Sequence, residues 1–556
     1  MTSNLRTGAQ ILVDQLKIHG VTKAFCVPGE SYLATLDALY DVKDTIEIVI
    51  CRQEGGVTYM GDAYGKITGR PGICFVTRGP GATNASLGIH TAHQDSTPLI
   101  LFIGQVGRAM MQREAFQEVD FRQMYAPLCK WVAQINDPAR IPEMVARAFH
   151  VATSGRPGPV VLALPEDMQK EKTAANDARA YQTINPAPDS SSIHKLKYLL
   201  ESASKPLMIL GGSGWSYEGL SKMQQFYENW DLPVAAAFRR QDLIDNRNRN
   251  YAGDFGLGVN PALASRADSA DLLLVVGAQM SEIITGGYEL FALPCPHQTF
   301  IHVTAGLDEV ARVYQPNLGI NSGMDNFADA VASLTPDKKT AWADWTAEAH
   351  QDHLKNIETP EMSGAVDMGK IIRWLSQTLP NDAILTNGAG NFSNWVHRFY
   401  TYRHYPSQLA PQSGSMGYGV PSAVAAKIAF PERVVVSFSG DGDFLMCGQE
   451  LATARQYDLP ITFVVVNNGT YGTIRMHQER FYPGRVSGTD LRNPDFAALA
   501  RAYGLHGELV QKTEDFSGAF DRCQKSGEPS LIEIQIDQNQ ISPRATISGL
   551  RSNSSN

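Results

Sequence analysis

Val434-Val435-Val436-Ser437-Phe438-Ser439-Gly440-Asp441-Gly442-Asp443 is the stretch on which the fold turns, together with Ile461-Thr462-Phe463-Val464-Val465-Val466-Asn467-Asn468 further along. Each is an apolar run of strand length. A run that ends in Gly-Asp-Gly places a carboxylate at the mouth of a parallel sheet, with glycines that let the backbone approach a ligand closely. Between the two, Phe444 to Pro460 reads as one helix with Leu445, Leu451, Ala454 and Tyr457 roughly on one face. A strand-helix-strand unit of this kind brings Asp441 and Asn468 to the carboxyl ends of neighbouring parallel strands. The Asp441 carboxylate and the Asn468 amide oxygen are hard ligands suited to octahedral Mg2+, and such a site is normally completed by water and phosphate oxygens. The pair therefore implies a diphosphate. A lone Gly-Asp-Gly is often only a turn, so the spacing to Asn467-Asn468 carries the weight.

At 556 residues the chain is too long for one core and predicts about three domains. Polar, proline-rich sequence at 182–192, containing Asn185-Pro186-Ala187-Pro188, closes a first region, 1–181. A charged stretch at 336–364 separates a second region, 193–335, from a third, 365–541. Each region alternates short Val/Ile/Leu runs with helical periodicity, which predicts an α/β chain of three doubly wound parallel sheets. The runs are 24–27, 46–50, 73–77, 99–103 and 160–164 in the first region, and 207–210, 272–276 and 300–303 in the second, while 383–386 opens the third.

The net charge of -9 argues against a nucleic-acid partner, which would need a basic stripe. The seven cysteines are scattered, odd in number and without a CxxC, a pattern of a reduced compartment. The N-terminus leads straight into an amphipathic helix, and no apolar run approaches the ~20 residues of a membrane span. The expectation is a cytoplasmic protein without export signal or membrane anchor.

Gly-Asp-Gly followed by Asn-Asn one strand-helix-strand unit later resembles the binding motif of thiamine diphosphate (ThDP) enzymes. In the first region, Cys51-Arg52-Gln53-Glu54-Gly55-Gly56 could on its own be a helix start with a favourable acidic residue. Its neighbours decide otherwise: Gly72-Ile73-Cys74-Phe75-Val76-Thr77-Arg78-Gly79-Pro80-Gly81-Ala82-Thr83-Asn84, then Phe116-Gln117-Glu118, then Ser154-Gly155-Arg156-Pro157-Gly158-Pro159-Val160. These blocks are similar to the first domain of acetolactate synthase catalytic subunits, and with the third region the resemblance covers most of the chain.

The resemblance implies a pyrimidine-binding, a central and a diphosphate-binding domain, with ThDP and Mg2+ as cofactors. Glu54 matches the glutamate that bonds the aminopyrimidine and drives it toward the imino form, which removes the C2 proton. Met416, in Ser413-Gly414-Ser415-Met416-Gly417, matches the bulky residue that bends the cofactor so that its amino group lies within roughly 3–3.5 Å of C2; as a plain reading, a methionine there fills core space. Gly388, Ala389, Gly390 and Asn391 match the loop on the diphosphate. Ser415, Gly440, Gly442, Asp443, Tyr471 and Gly472 flank the cofactor, and Thr470 adds a carbonyl to the metal ligands Asp441 and Asn468. In this superfamily the site lies between the first domain of one subunit and the third domain of another, which implies a homodimer at least, with a homotetramer common.

Several positions depart from the synthase pattern. Where synthases have Gly-Gly the chain has Gly29-Glu30, closer to the Gly-Asp of pyruvate decarboxylases, and a carboxylate there either donates a proton to the enamine or faces solvent at the rim. Against a decarboxylase, Phe116-Gln117 replaces the His-His pair, as in the synthases, which makes Gln117 a candidate catalytic residue. The tryptophan after the Asn-Asn loop is His477. Lys130 keeps a family position near the substrate funnel, where a lone lysine is commonly a solvated face. Flavin-holding synthases carry Arg-Phe-Asp-Asp-Arg where this chain reads Gly277-Ala278-Gln279-Met280-Ser281-Glu282, and Gly211-Gly212-Ser213-Gly214 lacks the rest of a dinucleotide fingerprint, so FAD is not expected. A polar tail such as that from Ser542 can fold over the site in CoA-using relatives, but here it reads first as a disordered terminus.

Two functional readings follow. One is a transferase that decarboxylates a pyruvate-like 2-oxo acid and adds the enamine to a carbonyl acceptor. The other is a lyase that releases an aldehyde, as a 2-oxo acid decarboxylase or a 2-hydroxyacyl-CoA lyase. A non-catalytic paralogue is set against the intact Glu54, Asp441, Asn468 and Met416.

Overall fold

The computed structural model describes residues 5–553. They gather into two compact units: residues 5–184 with the segments 424–429 and 447–457, and the remainder of the chain. Three six-stranded sheets, every pairing in them parallel, form the framework. In the first unit the strand order is Glu47–Ile50, Lys23–Cys26, Gly72–Val76, Leu99–Gln105, Pro159–Pro165, Trp131–Gln134. The central strands are buried on both faces, as a sheet covered by helices on each side requires.

The second unit holds the other two sheets. One runs Tyr251–Asp254, Val234–Ala236, Pro206–Leu210, Leu272–Val276, Thr299–Thr304, Leu318–Asn321. Its glycines 211, 212 and 277 serve packing: a Cβ at Gly212 would lie 2.1 Å from the Gly277 carbonyl oxygen. The other runs Gln408–Leu409, Ile384–Asn387, Val435–Gly440, Ile461–Asn467, Ser530–Gln535, His506–Val510. Here the order reverses beside Ile384–Asn387, and the crevice at the carboxyl ends of Ile384–Asn387 and Val435–Gly440 is the switch point at which such sheets bind ligands. Val435–Gly440 and Ile461–Asn467 pair directly, Gly440 opposite Val466.

Three local expectations need correction. The single helix over 444–460 is broken into Asp441–Cys447, a 3-10 turn Gly448–Glu450, and Leu451–Gln456. Gly448 weakens the middle, and the Glu450 carboxylate takes backbone N–H groups elsewhere in the chain, so Leu445 turns outward, 49% exposed, while Leu451 and Ala454 are buried. The charged stretch 336–364 contains the helix Ala343–Asn356, whose charges lie outside and whose Thr346, Ala349 and His353 are buried. The tail carries a helix, Ile547–Asn553, held by Arg551, whose Nε and Nη2 each donate at 2.7 Å to the buried carboxylate of Glu479. No helix of the described residues is long and apolar enough to cross a membrane.

Candidate active site

In the second unit, Asp441 ends Val435–Gly440 and starts a helix. Its side chain is 3% exposed and wrapped by donors: Gly442 N at 2.9 Å on Oδ1, Gly469 N at 2.8 Å and Asn493 Nδ2 at 2.7 Å on Oδ2. Burial pushes its carboxyl up from the usual range, and these donors oppose the shift. A carboxylate has about four lone-pair positions, so three donors leave room for a further ligand. Asn468 Oδ1 accepts from Thr470 N at 3.1 Å, which folds the loop so that Asn468 and Thr470 line the same cavity as Asp441. Asn493 also donates to Asn467 Oδ1 at 2.9 Å, tying the two motifs together. Sequence reading missed Asn493, because an Asn before Pro494 in a polar loop reads as a turn.

Asp443 is fully buried in a cradle of backbone. Its Oδ1 accepts from Ala389 N at 3.0 Å and Gly417 N at 2.8 Å, and a Cβ at Gly388 would meet that oxygen at 2.1 Å. Burial raises its carboxyl to about 7. It locks the 388–391 loop to the segment that carries Met416. The Asn391 amide is engaged with the protein, donating to Ile541 O at 3.0 Å and accepting from Thr473 Oγ1 at 3.0 Å. Ala389, Gly390, Asn391, Gly414, Met416, Gly440, Gly442, Tyr471 and Gly472 line a cavity of about 750 Å³ with Asp441, Asp443, Asn468 and Thr470; Gly388 and Ser415 stand just outside its wall. His477 lies in the wall, stacked on Phe481.

The arrangement fits a diphosphate with a divalent cation. Glycine backbone borders the space, and the carboxylate, amide and carbonyl oxygens of Asp441, Asn468 and Thr470 are the donor set Mg2+ takes. Among the described residues no three His, Cys, Asp or Glu side chains gather as a metal cage. With three protein oxygens offered, an octahedral cation here would be completed by water and by oxygens of its ligand.

In the first unit, Glu54 opens the helix Glu54–Thr68 and Gln53 caps it, accepting from Gly56 N at 3.1 Å. The Glu54 carboxylate has one side-chain partner, Asn84 Nδ2 at 3.0 Å. Glu450, fully buried, accepts from Arg52 N at 3.0 Å and Gln53 N at 3.1 Å, and from the Thr453 hydroxyl at 2.6 Å. The Tyr457 hydroxyl accepts from Ile50 N at 2.8 Å and donates to Ile48 O at 3.1 Å. The turn that presents Glu54 is thus fastened by a segment some 400 residues later.

The loop 77–81 gathers the other positions. Gly81 approaches Glu54 so closely that a Cβ would lie 3.2 Å from Oε1, and Gly79, at φ +52°, packs on Gln117, whose own φ is +64°. Neighbouring Phe116 is 73% exposed. Arg78, which the sequence reading passed over, is buried between Glu30 at 3.3 Å and Glu166 at 3.2 Å; the Glu30 side chain is itself 72% exposed. Lys130 does not point into this site: its Nζ donates to the carbonyls of Val151 and Ser154 at 2.6 and 2.7 Å, satisfying the end of the helix Ile141–Thr153.

Comparison with known proteins agrees with the geometry. Residues 6–124 match the thiamine pyrophosphate enzyme N-terminal TPP binding domain, 193–331 the central domain, and 388–534 the C-terminal TPP binding domain. The chain is 30% identical over 537 residues to the acetolactate synthase isozyme 2 large subunit of Escherichia coli, covering 96% of both chains. It is 31% identical to the acetolactate synthase large subunit of Parasynechococcus marenigrum, over 95% of this chain and 87% of that one. A probable acetolactate synthase large subunit of Methanocaldococcus jannaschii is 30% identical over 98% of this chain and 94% of its own.

Proposed function

Since the chain belongs to the thiamine pyrophosphate enzyme family, we propose that it decarboxylates a pyruvate-like 2-oxo acid with ThDP and Mg2+ and joins the remaining two-carbon unit to a carbonyl acceptor. The observation that carries this reading is the convergence of Asp441, Asn468 and Thr470 with the 388–391 loop on one cavity at a sheet switch point. When bound, ThDP supplies an electron sink for the pair released with CO2. In this reading Asp441, Asn468 and Thr470 hold the cation, and Gly388 to Asn391, Gly440 to Asp443, Ser415, Tyr471 and Gly472 hold the diphosphate. Met416 orients the cofactor, Glu54 moves its proton, and Gln117 and Glu30 border the reacting carbon.

The reading takes the three domains as 1–181, 193–335 and 365–541, with Glu54 of one subunit completing the site of another. It therefore needs at least a homodimer and accommodates a homotetramer. Leu445 and Met446, both exposed beside the cofactor motif, give apolar surface for such a contact. It includes no FAD.

A lyase that releases the aldehyde is the second reading, favoured by the exposed Glu30 carboxylate beyond the carboxyl end of the strand Lys23–Cys26. The deciding experiment is product analysis after incubation with ThDP, Mg2+, pyruvate and a panel of 2-oxo acids. Cofactor-dependent release of CO2 with an acyloin or 2-acetolactate supports the first reading, and aldehyde alone supports the second. No cofactor-dependent product from any acid would overturn both.

A further inference from the structure

The cavity that holds Asp441 extends along walls supplied by other elements, and there its charge changes sign. Arg239, Arg398, Arg480 and Arg544 line it, with Asp254 as the acidic side chain outside the Gly440 to Asp443 stretch. Two of these cations are built into place by one residue. Arg398 Nε donates to the carbonyl of Asn356 at 2.7 Å, and Arg544 Nη2 donates to the side-chain oxygen of the same Asn356 at 2.7 Å, while Arg544 Nη1 donates to Val259 O at 2.9 Å. Asn356 is the last residue of the helix Ala343–Asn356, so its carbonyl is one the helix leaves without an internal partner.

Among the described residues neither Arg398 nor Arg544 has a carboxylate within 4.0 Å. Burial, and then the neighbouring Arg544, push Arg398 down to about 10; burial lowers Arg544 as well, and Asp254 only partly restores it. Asp254 is itself pushed up to about 7 by burial, so it is a weak counter-charge. Two like charges held on one cavity wall without a counter-ion are costly unless an anion joins them. Guanidinium forks pair with planar carboxylates through two parallel hydrogen bonds.

We propose that Arg398 and Arg544, set by Asn356, form the anion subsite of this cavity and bind the carboxylate of the acid substrate. The proposal rests on the reading that the Asp441 end of the cavity holds the cofactor, and it names the class of ligand at the other end. A C-terminal segment that sequence alone reads as disordered would then contribute a substrate-binding residue.

The test is calorimetry on the protein saturated with ThDP and Mg2+, titrated with oxamate as an unreactive carboxylate probe and separately with inorganic phosphate. Arg544→Gln and Arg398→Gln are each expected to weaken oxamate at least about tenfold, with ThDP affinity and thermal stability unchanged, and Arg544→Lys to fall between. The Arg544 side chain reaches solvent while its neighbours Ile541, Ser542 and Ile547 carry the buried contacts of the segment, so its variant leaves those contacts in place. Unchanged oxamate affinity in both glutamine variants, or phosphate bound in preference to oxamate, would overturn the proposal. A wild-type protein that takes up no ThDP would instead overturn the cofactor reading. The oxamate titrations repeated without cofactor would still decide for or against the arginine pair.

Discussion

The two carboxylates on which the proposed chemistry depends, Glu54 in the first unit and Asp441 in the second, are held in opposite ways. Asp441 is buried, with three donors on its two oxygens, at the junction of a strand and a helix. Glu54 is half-buried at a helix start with one side-chain donor, Asn84. The restraint on Glu54 acts one step back, on the backbone of Arg52 and Gln53, through buried Glu450. A metal ligand gains from a fixed orientation, with hydrogen bonds on the lone pairs that the metal does not take. A group that must take up and release a proton needs a fixed position and an unsaturated carboxylate. The structure gives each what its proposed task requires.

That contrast can be broken from either side. Glu54→Gln keeps the shape and the Asn84 contact but removes the proton carrier, so turnover should fall by about 10²–10⁴-fold while ThDP binding by calorimetry stays unchanged. Near-wild-type turnover would remove Glu54 from the chemistry. Asp441→Ala should do the reverse, weakening ThDP and Mg2+ together by about 100-fold or more, since even outer partners of a metal are worth about 10–100-fold. Unchanged ThDP affinity in that variant would place the metal elsewhere. Glu450→Ala is the intermediate case. It strips two partly buried N–H groups of their acceptor, for a loss of about 1–3 kcal/mol in unfolding free energy, and loosens the turn before Glu54. Turnover should drop about tenfold with ThDP affinity intact, and Glu450→Gln, which retains an acceptor oxygen, should restore much of it. Loss of stability with full turnover would make Glu450 structural alone.

The same contrast explains what was legible in the sequence. The long apolar strands that build the sheet interiors, and the Gly-Asp-Gly and Asn-Asn ends of two of them, stand out because local pattern encodes them. Edge strands such as Trp131–Gln134 and Tyr251–Asp254 are short and carry polar or partly exposed residues, so they do not. Ser530–Gln535 lies inside its sheet yet escaped notice, because Glu533 interrupts the apolar run. That carboxylate is buried, accepting from Asn467 Nδ2 at 2.8 Å and Phe496 N at 2.9 Å. Glu450, Asn493 and Arg78 act only through partners distant in the chain, and no local period announces such partners. The tail was misread for the same reason: Arg551 finds its order in Glu479, 72 residues earlier.

The smallest expected effect concerns Glu30, where the chain leaves the synthase pattern. Arg78 stands between Glu30 and Glu166, so the three together place one net negative charge at the carboxyl ends of the first sheet's strands. After CO2 departs, the two-carbon unit either takes a proton and leaves as aldehyde or attacks a carbonyl acceptor. A second molecule of pyruvate brings its own carboxylate, and a negative mouth discriminates against it in favour of a neutral acceptor or a proton. Glu30→Gly leaves Arg78 balanced by Glu166 alone and removes that repulsion. The interaction of two unit charges near 4 Å in water is about 1 kcal/mol, so the ratio of 2-acetolactate to acetaldehyde should rise about fivefold. Arg78→Gln, which leaves both carboxylates uncompensated, should move the ratio the other way, provided its melting temperature shows the loop intact. Both products can be measured from pyruvate in the same assay. An unchanged ratio in Glu30→Gly with activity retained would make Glu30 a rim residue, and a shift of the same sign in both variants would mean that packing of the 77–81 loop, and not charge, sets the partition.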